Sequence, residues 1–453
     1  MNSIISQDYV KEKHLRSRVD HFFKENKISK LLKQSNFYKQ KGIPCADIFR
    51  FIFMLVFTGK NLFCYLNTDR ERNPFCKDTV YRFLNSTNFN WRKFLILLAS
   101  RIINKCIFPL TSEKRVNVLI LDDSLFSRNR SKAVELLAKV FDHVTHKYVK
   151  GFRMLTLGWS DGNSFIPLAF SLLSSSNEKN RLCGFNAKID KRSNGYKRRL
   201  EAVKKSTEAM FDLLDTACRH DIPADYVLFD NWFAFPETIR KVLRYNLNTI
   251  CMLKALPKVF YTYQNKKMNL EKLYSVVKKK SLKSGILASI IVTIGTDENN
   301  KPIRAKIVFI KDRNSRGWLA LLSTDTALSD EEIIRIYGKR WNIEVFFKMS
   351  KSFLKLSKEF QGRSYDMMIA HTTIVFVRYI MLAVENRINE DDRTIGELFY
   401  LFCDELKDIE FFQSIQLILD LLKDALKKQL ILTEKKINQF LNNFIQSLPA
   451  FIK

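Results

Sequence analysis

Val116-Asn117-Val118-Leu119-Ile120-Leu121-Asp122-Asp123-Ser124 is an apolar run of strand length that closes on two acids and a hydroxyl. An apolar run this short and this continuous reads as a buried strand, and the carboxylate that ends it emerges where the sheet ends. The neighbouring segments arrange themselves around it. Residues 151–159 and 165–172 are two more strand candidates, joined through Asp161-Gly162, a strong hairpin-turn pair. A helical segment near 200–218 follows, then a strand at 226–229 that ends at Asp230, a short helical stretch at 240–245 and a strand at 249–253. Three antiparallel strands followed by alternating strand and helix is the order of an α/β, ribonuclease-H-like catalytic core.

Beyond this core, residues 286–294, 303–310 and 318–323 read as strands separated by turn-rich 296–302 and 312–317. They form a β-rich subdomain inserted before the next helix. Only 22 residues are Gly or Pro, so helix should be plentiful. Helical flanks are expected on both sides of the core, with helices over 48–57 and 91–103 upstream and near 365–387, 394–407, 410–428 and 433–447 downstream. Between the upstream helices, Asp78 could N-cap a short helix over 77–84 that presents Lys77 and Arg82. Two readings stand there: a helix-turn-helix entering a major groove, or an ordinary helical subdomain. The expected organisation is a helical N-terminal DNA-binding domain (1–110), the first part of the core (111–255), the β insertion (256–325), a core helix bearing Glu344 (326–360) and a helical C-terminal domain (361–453).

Composition narrows the partner. The 453 residues hold 76 Lys and Arg against 47 Asp and Glu, a net charge of +29 that calls for a polyanion, either nucleic acid or an anionic membrane. With 46% apolar residues and 37 Phe, the chain can bury a core and is not a disordered tail. The most apolar stretches, 51–58 and 372–384, are bounded or broken by Arg50, Lys60 and Arg378, and fall short of the roughly 18–20 residues of a spanning helix. Eight cysteines without a CxxC pair argue against a zinc ribbon or a disulfide scaffold and fit a reducing cytoplasm. The N-terminus is polar and carries no signal-peptide pattern. A soluble, intracellular, nucleic-acid-binding protein is expected.

The chemistry concentrates in 329–356. Ser329 and Glu332 form a capping box, with Leu328 and Ile333 placed for a hydrophobic staple. Taken as one helix, the segment sets Tyr337, Arg340, Glu344, Lys348 and Lys351 within roughly 80° of one another. Most other directions are apolar, through Ile336, Ile343, Phe347 and Leu354 on one flank and Trp341, Val345, Phe346 and Phe353 elsewhere. A largely buried helix would then expose one narrow stripe. A solvated face with i,i+4 pairs is the plain alternative. One anion among three cations is poorly balanced for that, and better suited to a metal ligand flanked by phosphate clamps. With Asp122 and Asp230, Glu344 makes a triad of oxygen ligands of the type Mg²⁺ or Mn²⁺ prefers. Two such ions can activate water or a 3′-hydroxyl in phosphodiester transfer.

Tyr337-x2-Arg340-x3-Glu344-x6-Lys351 resembles, without a gap, the signature of insertion sequence 4 family DDE transposases. The run into Asp122-Asp123-Ser124, the strand into Asp230-Asn231-Trp232-Phe233 and the β insertion resemble that family as well, over about 115–360. The resemblance implies that Asp122, Asp230 and Glu344 bind the metal ions, and that Tyr337, Arg340, Lys348 and Lys351 contact phosphates near the transposon end. Trp318 looks like the family's tryptophan that stacks on a base flipped from the terminus, against the alternative of a core tryptophan. The family further implies cut-and-paste transposition through a DNA hairpin, with double-stranded terminal inverted repeats and target DNA as partners and a homodimer in the synaptic complex. It places the protein at the nucleoid of a bacterial cytoplasm, with no role for a membrane.

Other features are weaker. His143 and His146 lack further ligands at metal spacing and are read as structural. Segment 177–205 holds ten Lys or Arg against three acids, Arg192, Lys197, Arg198 and Arg199 among them. It reads as a track for the DNA backbone, with a solvated loop as the alternative; Lys278, Lys279 and Lys280 read similarly. Two other functions stay open: a ribonuclease-H-fold nuclease that cuts without joining, and a domesticated, non-catalytic DNA-binding regulator.

Overall fold

The strand expected from 116–121 is β1, Val118–Ser127, and it continues beyond its acids instead of ending at them. It does so because an antiparallel neighbour carries it, with Asp122 facing Thr156 and Ser127 facing Gly151 in the ladder. The computed structural model describes residues 18–68, 76–112, 115–142, 145–186, 188–277, 285–312, 317–388, 393–404, 418–423, 426 and 434–447.

Strands β2 (Ala138–Asp142), β3 (Lys147–Ser160) and β4 (Phe165–Leu173) follow β1, then β5 (Tyr226–Phe229) and β6 (Asn248–Leu253). β3 pairs antiparallel with β1 along one edge and with β2 and β4 along the other. β5 and β6 add to the far side of β1 as parallel strands. The β3–β4 ladder shifts register at Leu157/Gly158, and the Phe165 ring fills the place a Gly158 side chain would take.

The insertion contributes β7 (Tyr261–Tyr263), β8 (Lys266–Met268), β9 (Ile286–Thr296), β10 (Pro302–Lys311) and β11 (Trp318–Ser323). Its three long strands lie where the sequence put them. They are not a separate layer, because β11 pairs antiparallel with β6, and one mixed sheet runs from β2 to β8. An apolar β6 flanked on one side alone would leave a bare edge, and β11 covers it.

Helices α1 (Ile28–Gln34), α2 (Cys45–Leu55), α3 (Leu62–Thr68), α4 (Lys77–Leu84) and α5 (Trp91–Ile102) precede the sheet. Asp78 does not cap α4: the helix starts one residue earlier, after Cys76, and Asp78 lies in its first turn. Asn90 does cap α5, accepting from Lys93 N at 3.0 Å. The segment near 200–218 is two helices, α6 (Asn194–Ala202) and α7 (Ser206–Cys218). After these come α8 (Pro236–Leu243) and α9 (Leu270–Val276).

The segment read as one helix over 329–356 is also two, α10 (Asp330–Gly338) and α11 (Trp341–Ser352). At the joint, Arg340 N bonds Tyr337 O and Ile343 N bonds Arg340 O, three-residue spacings that tighten the turn. Gly338 weakens the helix there, and the flanking side chains are pulled apart. Lys339 Nζ donates to Val116 O (2.5 Å) and Asp161 O (3.2 Å), while Arg340 reaches towards Asp122.

α12 (Tyr365–Ile388) and α13 (Glu434–Ser447) follow, with helical residues at 395–404 between them. Most of the helix expected near 410–428 lies outside the described residues, as do His143 and Lys278–280. α12 is longer than its apolar run suggested and, among the described residues, is the helix long and apolar enough to cross a membrane. Its apolar stretch is wholly buried by protein, as in a core helix. Mid-helix Arg378 is buried and satisfied: it pairs with Glu359 at 2.7 Å and donates to Phe53 O (2.9 Å) and Ile52 O (2.5 Å). Those carbonyls belong to the last turn of α2, which has no helical partner for them. One contiguous apolar cluster extends from Val19 to Phe402, so the flanking helices and the sheet share a core.

Candidate active site

β1 and β5 run parallel, and their last paired residues are Leu121 and Phe229. Asp122 and Asp230 come next on each strand, which brings two carboxylates from chain positions far apart to one end of the sheet. Each accepts a hydrogen bond from the amide that follows it, Asp123 N at 2.8 Å and Asn231 N at 2.6 Å. Burial pushes the Asp122 carboxyl up to about 7. Arg340 opposes that rise, and Asp123 and Asp230 add to it.

The third acid arrives on α11, which packs against β1. Arg340, in the joint before α11, donates to Asp122 Oδ2 at 3.1 Å and to Glu344 Oε1 at 2.5 Å. A single guanidinium thus links the strand acid to the helix acid. Tyr337, the last but one residue of α10, lies under it, with Arg340 5.8 Å from the ring centroid. Burial raises the Tyr337 phenol well above its usual value; Arg340 opposes and nearby Asp230 adds to the rise.

Lys351 closes the same face further along. Its Nζ donates to Ser124 Oγ at 2.7 Å, and Ser124, two residues past Asp122, shares that face of β1. Burial lowers the Lys351 ammonium, while Asp142 pulls it the other way. Lys348 is exposed on α11. Four of the five stripe residues are therefore not a solvent-facing row: Tyr337, Arg340, Glu344 and Lys351 are partly covered and turned towards the sheet. Trp341, expected to be buried, is 62% exposed, and Val345 is exposed too, because the break before α11 rotates its faces relative to α10.

Trp318 opens β11, which runs antiparallel to β6 and so begins at the end of the sheet where Asp230 lies. Its ring is not an isolated exposed platform. It stacks on Tyr274 (4.7 Å between centroids, 28°) and meets Phe309 edge-on (5.2 Å, 78°).

The basic tract 177–205 divides in the same way. Arg199 is buried between Glu135 (2.7 Å) and Asp366 (2.6 Å), and Arg198 pairs with Asp366 at 3.0 Å. These two hold α6 to α12 and are unavailable to a DNA backbone, whereas Lys188, Lys191 and Lys197 are exposed. His146 takes a left-handed backbone (φ 52°) and its ring meets Phe141 edge-on. Among the described residues, no three His, Cys, Asp or Glu side chains converge as a ligand cluster. Arg340 stands between Asp122 and Glu344, and Asp230 is near enough to Asp122 for its charge to add to the rise of that carboxyl.

Sequence reading quoted Ser124 and Trp232 only as neighbours of the acids, without a role of their own, and did not name Arg153. Ser124 was signalled by its two-residue spacing from Asp122. Arg153 pairs with Asp123 (3.4 Å) and lies over the Trp232 ring (5.1 Å to the centroid), a contact no local pattern announces.

Residues 68–268 match the family model of the DDE superfamily endonuclease, and residues 200–377 match that of the transposase DDE domain. The first span contains Asp122 and Asp230, the second Asp230 and Glu344. No curated protein matches the chain. The large mixed sheet with its many helices fits an α/β DDE-nuclease fold, and the two matches support a DDE transposase, an enzyme of the nuclease and transposase kind acting on DNA.

Proposed function

We propose that this chain is an insertion-sequence transposase of the insertion sequence 4 kind, which excises and inserts its element by phosphodiester hydrolysis and strand transfer at Asp122, Asp230 and Glu344. The observation that carries the reading is the link of Asp122 to Glu344 through Arg340, beside Asp230. The strand order β4-β3-β1-β5-β6, antiparallel on one side of β1 and parallel on the other, supports a ribonuclease-H-like core.

In its chemistry, though not in its present spacing, the donor set suits a divalent ion. Three carboxylates are hard oxygen ligands, and two of them already share one cation in the guanidinium of Arg340. Asp122, Asp230 and Glu344 would hold Mg²⁺ or Mn²⁺, two ions in the family's manner, which supply activation of water or a 3′-hydroxyl and charge neutralisation at the phosphate. The chain's other residues bind and orient the DNA. Arg340, released from its acids, is a planar donor suited to a phosphate, and Lys351, steadied by Ser124, supplies a second positive group. Lys348 reaches the backbone from the exposed side. Tyr337 walls the site with its buried ring. Terminal inverted repeats and target DNA are the substrates, a hairpin the intermediate, a homodimer the synaptic form, and the bacterial nucleoid the place of action.

The test is cleavage of a DNA fragment carrying the element's own ends, with Mg²⁺, by the full chain and by Glu344→Gln. The full chain should cut at the end and join it to target, while Glu344→Gln binds the fragment without cutting. Cutting by Glu344→Gln overturns the site; cutting without joining by the full chain favours the ribonuclease-H-fold nuclease.

A further inference from the structure

We infer that Trp232, with Arg153 stacked on it, is a binding platform for an unpaired nucleobase on the face of the sheet opposite Glu344. The inference rests on the reading of this site as one that acts on DNA. Successive residues of a strand point to opposite faces, so Asp123 faces away from Asp122 and from α11. Arg153 lies on Asp123's face, since the ladder pairs Leu125 with Arg153 and Asp123 with Leu155. There Arg153 pairs with Asp123 at 3.4 Å and sits 5.1 Å from the centroid of Trp232.

The platform is tied to both acid-bearing strands. Trp232 follows Asp230 by two residues, and the carboxylate that holds Arg153 follows Asp122 by one. Its position is therefore set by the same backbone that sets the acids. A core aromatic would be covered here, yet Trp232 is 45% exposed, and Phe235, on the same short loop before α8, is 39% exposed. Trp232 and Phe235 thus both keep part of their rings at the surface of one loop, beside Asp230. A guanidinium over an indole at the end of a sheet, in a chain of net charge +29, favours a base carrying an anionic backbone. A duplex hides its base faces, so the occupant is single-stranded: a base freed where the helix opens beside the cut.

Trp318 stands apart from this role, because two other rings, Tyr274 and Phe309, pack against it. The opposite-face position assigns Trp232 to the strand that leaves the acids on the side away from α11.

The experiment measures anisotropy of fluorescein-labelled oligothymidylate of about 20 nucleotides, and of a duplex of the same length, with the full chain, Trp232→Ala, Trp232→Phe and Arg153→Gln. Trp232→Ala should weaken single-strand binding by about fivefold or more while leaving duplex binding within about twofold, and Trp232→Phe should restore most of the loss. Arg153→Gln should show a smaller loss of the same kind. Single-strand binding by Trp232→Ala within about twofold of the full chain overturns the platform. So does an equal loss on both probes, which marks a general change of fold. If the full chain binds neither probe, the reading of the site as DNA-acting fails first.

Discussion

Arg340 and Asp122 meet at 3.1 Å across 218 residues of chain, and the same guanidinium holds Glu344. Removing it leaves a largely buried carboxylate without its cation. Arg340→Ala should therefore cost about 1–3 kcal/mol of stability in metal-free buffer. Added Mg²⁺ should recover part of the loss, because a divalent ion takes over the charge balance of the two acids. Thermal unfolding with and without Mg²⁺ checks this, and a variant as stable as the parent in chelator would show the bridge to be idle.

The buried group Glu359, His371 and Arg378 should give stability a distinct pH profile. Burial alone would raise Glu359, but Arg378 and His371 hold its carboxyl down to about 2. Its contribution is complete above the ordinary carboxylate value of 4.5 and is lost as pH falls towards 2. Burial lowers His371 below its ordinary 6.5, with Glu359 opposing and Arg378 and Arg128 assisting. The unfolded chain then takes up that proton first, so stability declines as pH falls through 6.5. Asp122, raised to about 7, binds its proton in the fold over the same range and works the other way, so the decline is read as the difference between the parent and His371→Gln; identical melting profiles of the two between about pH 7 and 5.5 would contradict it.

Arg199→Met should act on the fold and not on the DNA. It strips the shared cation from Glu135 and Asp366, at a cost of about 3–5 kcal/mol. Lys188→Ala, Lys191→Ala and Lys197→Ala should instead leave melting unchanged and flatten the dependence of DNA affinity on salt, by about one unit of slope for each phosphate no longer neutralised. An unchanged slope in all three would mean that this tract is solvated loop.

Trp318→Ala should lower stability by about 1–3 kcal/mol, because the Tyr274 and Phe309 rings are left without their packing partner, while Trp318→Phe keeps most of it. Chemical denaturation reads the difference. Assaying the same variants for hairpin formation against first nicking separates packing from any grip on a flipped base, since only the latter would spare the nick.

Local pattern alone specified most of the elements. The apolar run before Asp122, the match of β5 to 226–229, the Asp161-Gly162 turn and the Ser329 cap, which accepts from Glu332 N at 3.1 Å, are written in neighbouring residues. The acids and the Tyr337-to-Lys351 spacing were legible for the same reason. What tertiary structure decided is how distant segments balance charge and cover edges. Nothing near Arg198, Arg199 or Arg378 says that Glu135, Asp366 and Glu359 will bury them. Nothing in 286–323 says that β11 will pair with β6. At the break before α11, Lys339 reaches Val116 O and Asp161 O beyond the ends of β1 and β3 while Arg340 reaches Asp122 within β1, and the expected exposed stripe is turned inward. Local sequence sets the period of each element through short-range sterics and capping. Pairing partners, buried ion pairs and the direction a side chain finally takes depend on the free energy of contacts made only when the chain has closed.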